Sequence, residues 1–163
     1  MSVSRAWRHL LATRWGLRRA FSADVLAAIE EAIRATESTH GGEIRIAVEN
    51  ELELLALWRG VTSRDRAVEA FAQLRVWDTE LNNGVLIYVL WADRCVEIVA
   101  DRAFKKLVSD QEWREVCARM ESAFSAHQPG PALVEGIRSV GSLIARHFPA
   151  SDRNELPDRP VLL

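Results

Sequence analysis

Seven consecutive apolar residues, Val85 to Trp91, follow directly on the polar turn Asn82-Asn83-Gly84. The run is rich in β-branched and aromatic side chains, so it reads as a central strand buried on both faces. Whatever stands just before such a strand is held rigidly at the edge of a sheet. The carboxylates of Asp78 and Glu80, with the amides of Asn82 and Asn83, are therefore placed to grip a hard cation or a polar ligand.

The chain has 163 residues, 48% of them apolar and 27% charged, enough for one ordinary core and too little for a second domain. Its net charge of −2 hides an asymmetry, because Arg5, Arg8, Arg14, Arg18 and Arg19 are the only charged side chains before Asp24. Residues 1–21 thus form a basic arm on an acidic body, and the acidity of that body argues against nucleic acid as a partner. Within the arm, Trp7, Leu10, Leu11 and Trp15 suit one face of a helix that Arg14 and Arg18 interrupt. Docking onto the protein's own body is therefore favoured over direct lipid binding. Cys95 and Cys117 fall on apolar patterns without metal-type spacing, as expected of small core residues in a reducing compartment. The arginines leave no signal-peptide core and no stretch reaches the length of a membrane span, so the expected location is cytoplasmic.

Ser22 is placed to cap a helix with Leu26, Ile29 and Ile33 inward and Glu30 paired to Arg34. Gly41-Gly42 ends it, and Glu43 to Val48 alternates as a strand with one buried face. Leu52 to Trp58 lacks a clear period and reads as a loop with a helical turn. Thr62 and Asp65 form a capping box for a helix to about Trp77, with Val68, Phe71 and Leu74 inward. Beyond the central strand, Ala92-Asp93-Arg94 is a tight turn into a second strand, Cys95 to Ala100, which makes an antiparallel hairpin. Ser109 and Glu112 cap a helix carrying Trp113, Val116, Cys117, Met120 and Phe124 on one stripe. A last helix has Pro131 at its first position, Leu133, Ile137, Val140 and Ile144 on one face, and Gly136 and Gly141 for close packing. Trp77, Trp91 and Trp113 are expected to point inward. From Pro149 the chain reads as an extended or disordered tail, residues 149–163. The order of elements is that of an α/β domain with a mixed sheet covered by helices on both faces.

The motifs Gly42-Glu43-Ile44-Arg45 after a first helix, the Asn-Asn-Gly-Val-Leu strand opener, the hairpin through Ala92-Asp93-Arg94 and the closing amphipathic helix occur in an order that resembles the TPM domain family. That family includes a thylakoid lumen protein, a photosystem repair protein and a nematode receptor modulator. The resemblance covers roughly residues 22–148. It implies a three-layer α/β/α sandwich, and the arm and tail resemble the ends of the short cytoplasmic bacterial branch. It further implies a LemA-type membrane protein as a neighbour, and acid phosphatase activity or calcium binding near the strand opener. That opener usually reads Asp-Asn-Gly, so Asn82 keeps an oxygen and lacks a charge. Ala100-Asp101-Arg102-Ala103-Phe104 stands where many exported relatives have a glycine-rich segment.

Two function classes follow. A metal-dependent phosphatase would use Asp78, Glu80, Asn82, Asn83, Asp93 and Asp101 around Ca2+ or Mg2+, with Arg94 and Arg102 holding the phosphoryl group. No Cys-x5-Arg loop, P-loop or Asp-x-Asp motif supports it, and the four histidines, His9, His40, His127 and His147, suggest no triad. The favoured reading is a non-catalytic interaction scaffold with weak cation binding, peripheral to the inner membrane. Its partner-facing arm would act through Arg5, Trp7, Arg8, Arg14, Trp15, Arg18 and Arg19, and its partner would be a protein.

Overall fold

A computed structural model describes residues 3–125, 129–149 and 154–163. Two short helices, α1 (Val3–Leu11) and α2 (Arg14–Ala20), precede α3 (Ala23–Glu37) and strand β1 (Glu43–Glu49). Helices α4 (Leu54–Trp58) and α5 (Ser63–Gln73) lead to β2 (Gly84–Leu90), and a 3-10 turn over Trp91–Asp93 leads to β3 (Cys95–Ala100). A second 3-10 segment (Arg102–Lys106) precedes α6 (Asp110–Ser125), α7 (Pro129–Ala145) and the two-residue strand β4 (Val161–Leu162).

The sheet runs β3-β2-β1-β4, with β1 parallel to both β2 and β4, and β2 antiparallel to β3. Every residue of β2 is buried. Its alternate residues serve two cores: Val85, Ile87 and Val89 join Ile29, Ile33, Val116, Phe124, Ile137 and Val140 beneath α3, α6 and α7. On the opposite face, Leu86, Tyr88 and Leu90 meet Leu57, Ala67 and Ala70 of α4 and α5. This is the three-layer α/β/α sandwich. The Tyr88 hydroxyl, buried under α5, donates to Glu49, whose carboxylate is held by Arg66 at 2.9 and 3.1 Å.

Local signals act as their chemistry requires. Ser22 Oγ accepts from Val25 N–H, Thr62 and Asp65 form a complete capping box, and Ser109 and Glu112 exchange bonds of 2.9 and 3.3 Å. Gly136 seats α7 on Met120 of α6, and Gly141 seats it on Thr36 of α3, where a Cβ would come within 2.1 and 1.9 Å of those side chains. Gly84 is equally constrained, since a Cβ there would stand 2.0 Å from the Val76 carbonyl oxygen.

Several expectations are corrected. β1 is largely buried on both faces, because Leu52, Leu57, Ala67 and Ala70 with Leu156 cover the face its alternation left open, while β4 pairs along its edge. Helix α5 stops at Gln73, where Leu74 caps it and Arg75 turns left-handed at φ 54°, so Trp77 lies outside the helix and is 47% exposed. The inward stripe of α5 is Ala67, Ala70, Phe71 and Leu74; small alanines let the helix lie close to the sheet, and Val68 faces out. Helix α7 begins at Pro129, one of the two prolines its first turn accommodates.

The tail, expected to be extended or disordered, folds along β1 over Asn154–Leu163. Leu156 N–H donates to Glu43 at 3.0 Å, Arg45 holds the carbonyls of Pro157 and Arg159, and Arg34 lies 3.5 Å from Asp158. Glu37 accepts from Ile44 N–H at 2.7 Å beneath this latch. Burial, reinforced by Glu43 and Asp158, pushes the Glu37 carboxyl up to about 8. A carboxyl raised in the folded state contributes its full stability below its unfolded value near 4.5 and loses it as pH rises through about 8. Urea titrations between pH 5 and 9 are expected to show stability falling with pH. The Glu37→Gln variant should remove on the order of 2 kcal/mol of that fall.

Candidate functional site

The sheet has two polar ends about 20 Å apart, the length of a seven-residue strand. The predicted site residues divide between them.

At the opener, Asn82 N–H and Asn83 N–H bond to the carbonyl and hydroxyl of Thr79, and Asn82 adopts φ 54°, a conformation Asn tolerates better than most residues. Asn83 donates through Nδ2 to the Gly41 carbonyl at 2.5 Å, tying the opener to the start of β1. Asp101 N–H bonds to Gly84 O at 2.9 Å, and Asp101 Oδ1 accepts from Arg102 N–H at 2.6 Å. The Arg102 guanidinium reaches back to Asn82 Oδ1. Asn82, Asn83, Asp101 and Arg102 thus form one assembly.

Asp78 and Glu80 border it with exposed side chains, and Glu80 N–H is taken by Glu155 at 3.0 Å. Two acceptors inside the assembly, Asn83 Oδ1 and Asp101 Oδ2, are buried without a donor. Calcium needs six to eight oxygens and magnesium a near-octahedral set. Two such oxygens beside a resident guanidinium do not make either cage, and no group of three His, Cys, Asp or Glu side chains converges for a metal among the described residues.

Next to this assembly, a cleft of about 480 Å³ runs along the outer edge of β3 between α5 and α6. Arg64, Arg102, Lys105 and Arg114 line it with Glu97, Asp101 and Asp110, and Trp113 and Phe104 form apolar wall. The edge of β3 is already capped, with Val96 N–H donating to Glu121 at 2.8 Å and Ile98 O accepting from Arg64 at 2.5 Å. Cys117 also lines the cleft, and burial pushes its thiol up to about 12, far from a reactive thiolate.

Asp93 and Arg94 are not part of the opener. They lie at the other end of the sheet, where Asp93 receives Arg5 Nε at 2.7 Å and Arg8 at 2.9 Å, with His9 Nε2 at 3.2 Å off the hydrogen-bond axis. Burial alone would raise the Asp93 carboxyl, but Arg8, Arg5 and His9 hold it below the ordinary aspartate range. Arg94 covers the Trp91 ring at 3.2 Å. The hairpin expected from the sequence already implies this separation, because it brings Asp101 back to Gly84 while leaving Asp93 at the turn.

The same node fixes the arm. Arg5 also donates to Val61 O at 3.1 Å, His9 Nδ1 accepts from Leu52 N–H at 2.9 Å, and Asn50 Nδ2 donates to Ala12 O. The Nδ1 acceptor role places the neutral imidazole's proton on Nε2. Leu17 and Phe21 enter the main core, with Phe21 edge-on to Trp91 at 5.3 Å. Of the proposed arm residues, Arg5 and Arg8 both engage Asp93, Arg8 from a largely exposed side chain, and Trp7, Arg14, Trp15, Arg18 and Arg19 are exposed. Leu54, Leu55 and Trp58 of α4 are also exposed beside α1, and no sequence signal marked them. His40 is buried and accepts from Gly42 N–H, His147 is exposed, and His127 lies outside the described residues.

The Asp93 clamp is expected to hold above the ordinary aspartate range near 3.8 and to fail as pH falls below it, the direction for a depressed carboxyl. At neutral pH, Asp93→Asn should speed trypsin cleavage after Arg5 and Arg8 about tenfold, as for loss of one charge-assisted bond of about 1.5 kcal/mol. Unchanged cleavage would show that the arm's other contacts, Leu17, Phe21 and the His9–Leu52 bond among them, hold it without the Asp93 charge.

No curated protein matches the chain. Among solved structures, the NMR structure of the BA42 protein from the psychrophilic bacterium Bizionia argentinensis is similar, with a TM-score of 0.77 and 33% identity over 87% of this chain and 94% of that one. The family model of the TPM domain matches residues 17–143, from α2 to near the end of α7. With the sandwich, the opener and the hairpin in place, the chain belongs to the TPM domain family.

Proposed function

We propose that this TPM domain is a non-catalytic interaction module, cytoplasmic and peripheral to the inner membrane, whose partner is a membrane-associated protein assembly of the LemA-neighbour kind. One observation carries the reading. The N-terminal helices are anchored through Asp93, His9 and Phe21, yet hold Trp7, Leu10, Leu11 and Trp15 out to solvent. Rigidly presented aromatic side chains beside arginines are what an interaction surface uses, because little conformational entropy is lost when they are covered. Cation binding at the opener is weak on this account, resting on Asn83 and Asp101 with Arg102 already in place.

The basic cleft beside β3 favours a second reading, a phosphatase-like hydrolase holding a phosphoryl group through Arg102 and Arg114. Hydrolysis of p-nitrophenyl phosphate, measured with and without Mg2+ or Ca2+, separates the two. The interaction reading expects no turnover above that of buffer and no effect of Arg102→Ala with Arg114→Ala. Metal-dependent turnover abolished by that pair of substitutions would establish the hydrolase instead.

A further inference from the structure

Seven exposed large apolar side chains lie on α1, α2 and α4. On α1, at about 100° per residue, Trp7, Leu10 and Leu11 fall within an arc of about 100° opposite His9, which is buried against the body. Helix α4 lies beside α1 and exposes Leu54, Leu55 and Trp58. Trp58 is 76% and Trp15 70% exposed, values far from the burial usual for tryptophan.

A single helix through residues 3–20 would set Arg14 and Arg18 into the apolar stripe. The chain instead breaks at Ala12-Thr13, where Thr13 Oγ1 accepts from Gly16 N–H and starts α2 afresh. On α2, Trp15 and Arg19 fall opposite buried Leu17 with exposed Arg18 and Arg14 to one side of them, and Arg19 lies 5.5 Å from the Trp15 ring. Neither α1 nor α2 contains an acidic residue. Among the described residues Arg14, Arg18 and Arg59 have no carboxylate partner, and Glu53 is the exposed acid at the start of α4.

We infer that the exposed residues of α1 and α4, with the basic helix α2 that follows α1 after a two-residue break, dock on an anionic lipid bilayer. Tryptophans beside unneutralised arginines match the headgroup boundary, where the indoles sit at headgroup level and the guanidiniums meet lipid phosphates. The charge complementarity selects an anionic surface, since three exposed arginines on one short helix gain little from a neutral one. This deepens the interaction-module reading and rests on it: lipid holds the domain where its membrane-associated protein partner is.

The test is flotation of the full chain with vesicles of phosphatidylcholine alone and with added phosphatidylglycerol, at low and physiological salt. Binding to the anionic vesicles is expected, weakened by salt, with little to phosphatidylcholine. Arg14→Gln/Arg18→Gln/Arg19→Gln and, separately, Trp15→Ala/Trp58→Ala should each lower anionic binding about tenfold or more. These side chains are exposed, so circular dichroism should report an unchanged fold for both. No anionic binding, or binding that both variants retain, overturns the lipid assignment. If anionic vesicles do not bind while membrane fractions solubilised in detergent still retain the protein on a membrane protein, lipid docking fails and the interaction-module reading stands. Retention on neither vesicles nor membrane proteins contradicts both.

Discussion

The parallel pairing of β1 with β2, in register from Glu43–Gly84 to Glu49–Leu90, is the contact on which the rest of the molecule depends. It is a wholly buried seam, so helices must cover both faces and every polar group must be brought to the ends. Gly84 sets the start of the register by letting the opener pass against Val76. One end of the seam then carries Asn82, Asn83, Asp101 and Arg102, and the other carries Asp93 with the arm. The tail latch at Glu43 and Arg45 completes the open side of β1.

The two ends differ in what their charges do. At the opener, a guanidinium on Asn82 occupies ground where a cation-binding loop would need carboxylates. At the far end, Asp93 is neutralised by arginines that come from another part of the chain, so its charge serves assembly. Both arrangements give these residues contacts that join separate parts of the chain. What remains unsatisfied at the surface is apolar area and positive charge on α1, α2 and α4, and those features carry the functional proposal.

Much of the framework is legible in the chain because its signals are local. The apolar run Val85 to Trp91, the turn at Ala92-Asp93-Arg94, and the capping boxes at Thr62 and Ser109 each depend on residues within a few positions. Gly136 and Gly141 read correctly because a helix needs small residues wherever two neighbours press on it. The rest is tertiary. The second face of β1 is buried by α4 and α5 together with Leu156, and its edge is paired by β4, both tail elements more than a hundred residues away; the polar composition of the tail conceals Leu156 and Pro160. Trp77 lies past a helix end set by the left-handed Arg75, which no propensity marks. The candidate cation set, by contrast, failed to converge for a reason the expected hairpin already implies: Asp93 stands close to Asp101 along the chain, but the hairpin separates them by a strand. The break at Thr13, which moves Arg14 and Arg18 off the apolar face of α1, is a cap visible in sequence only once the two helices are known to be separate.

The central claim is that the arm is an integral, rigid part of the domain and presents its aromatic face from a fixed position. Amide hydrogen exchange on the intact chain in solution tests it most directly. The account predicts protection across the hydrogen-bonded amides of α1 and α2, slowest near Leu17 and Phe21 and approaching that of α3. Exchange across residues 3–20 at the rate of an unstructured peptide, with α3 and the sheet still protected, would contradict it.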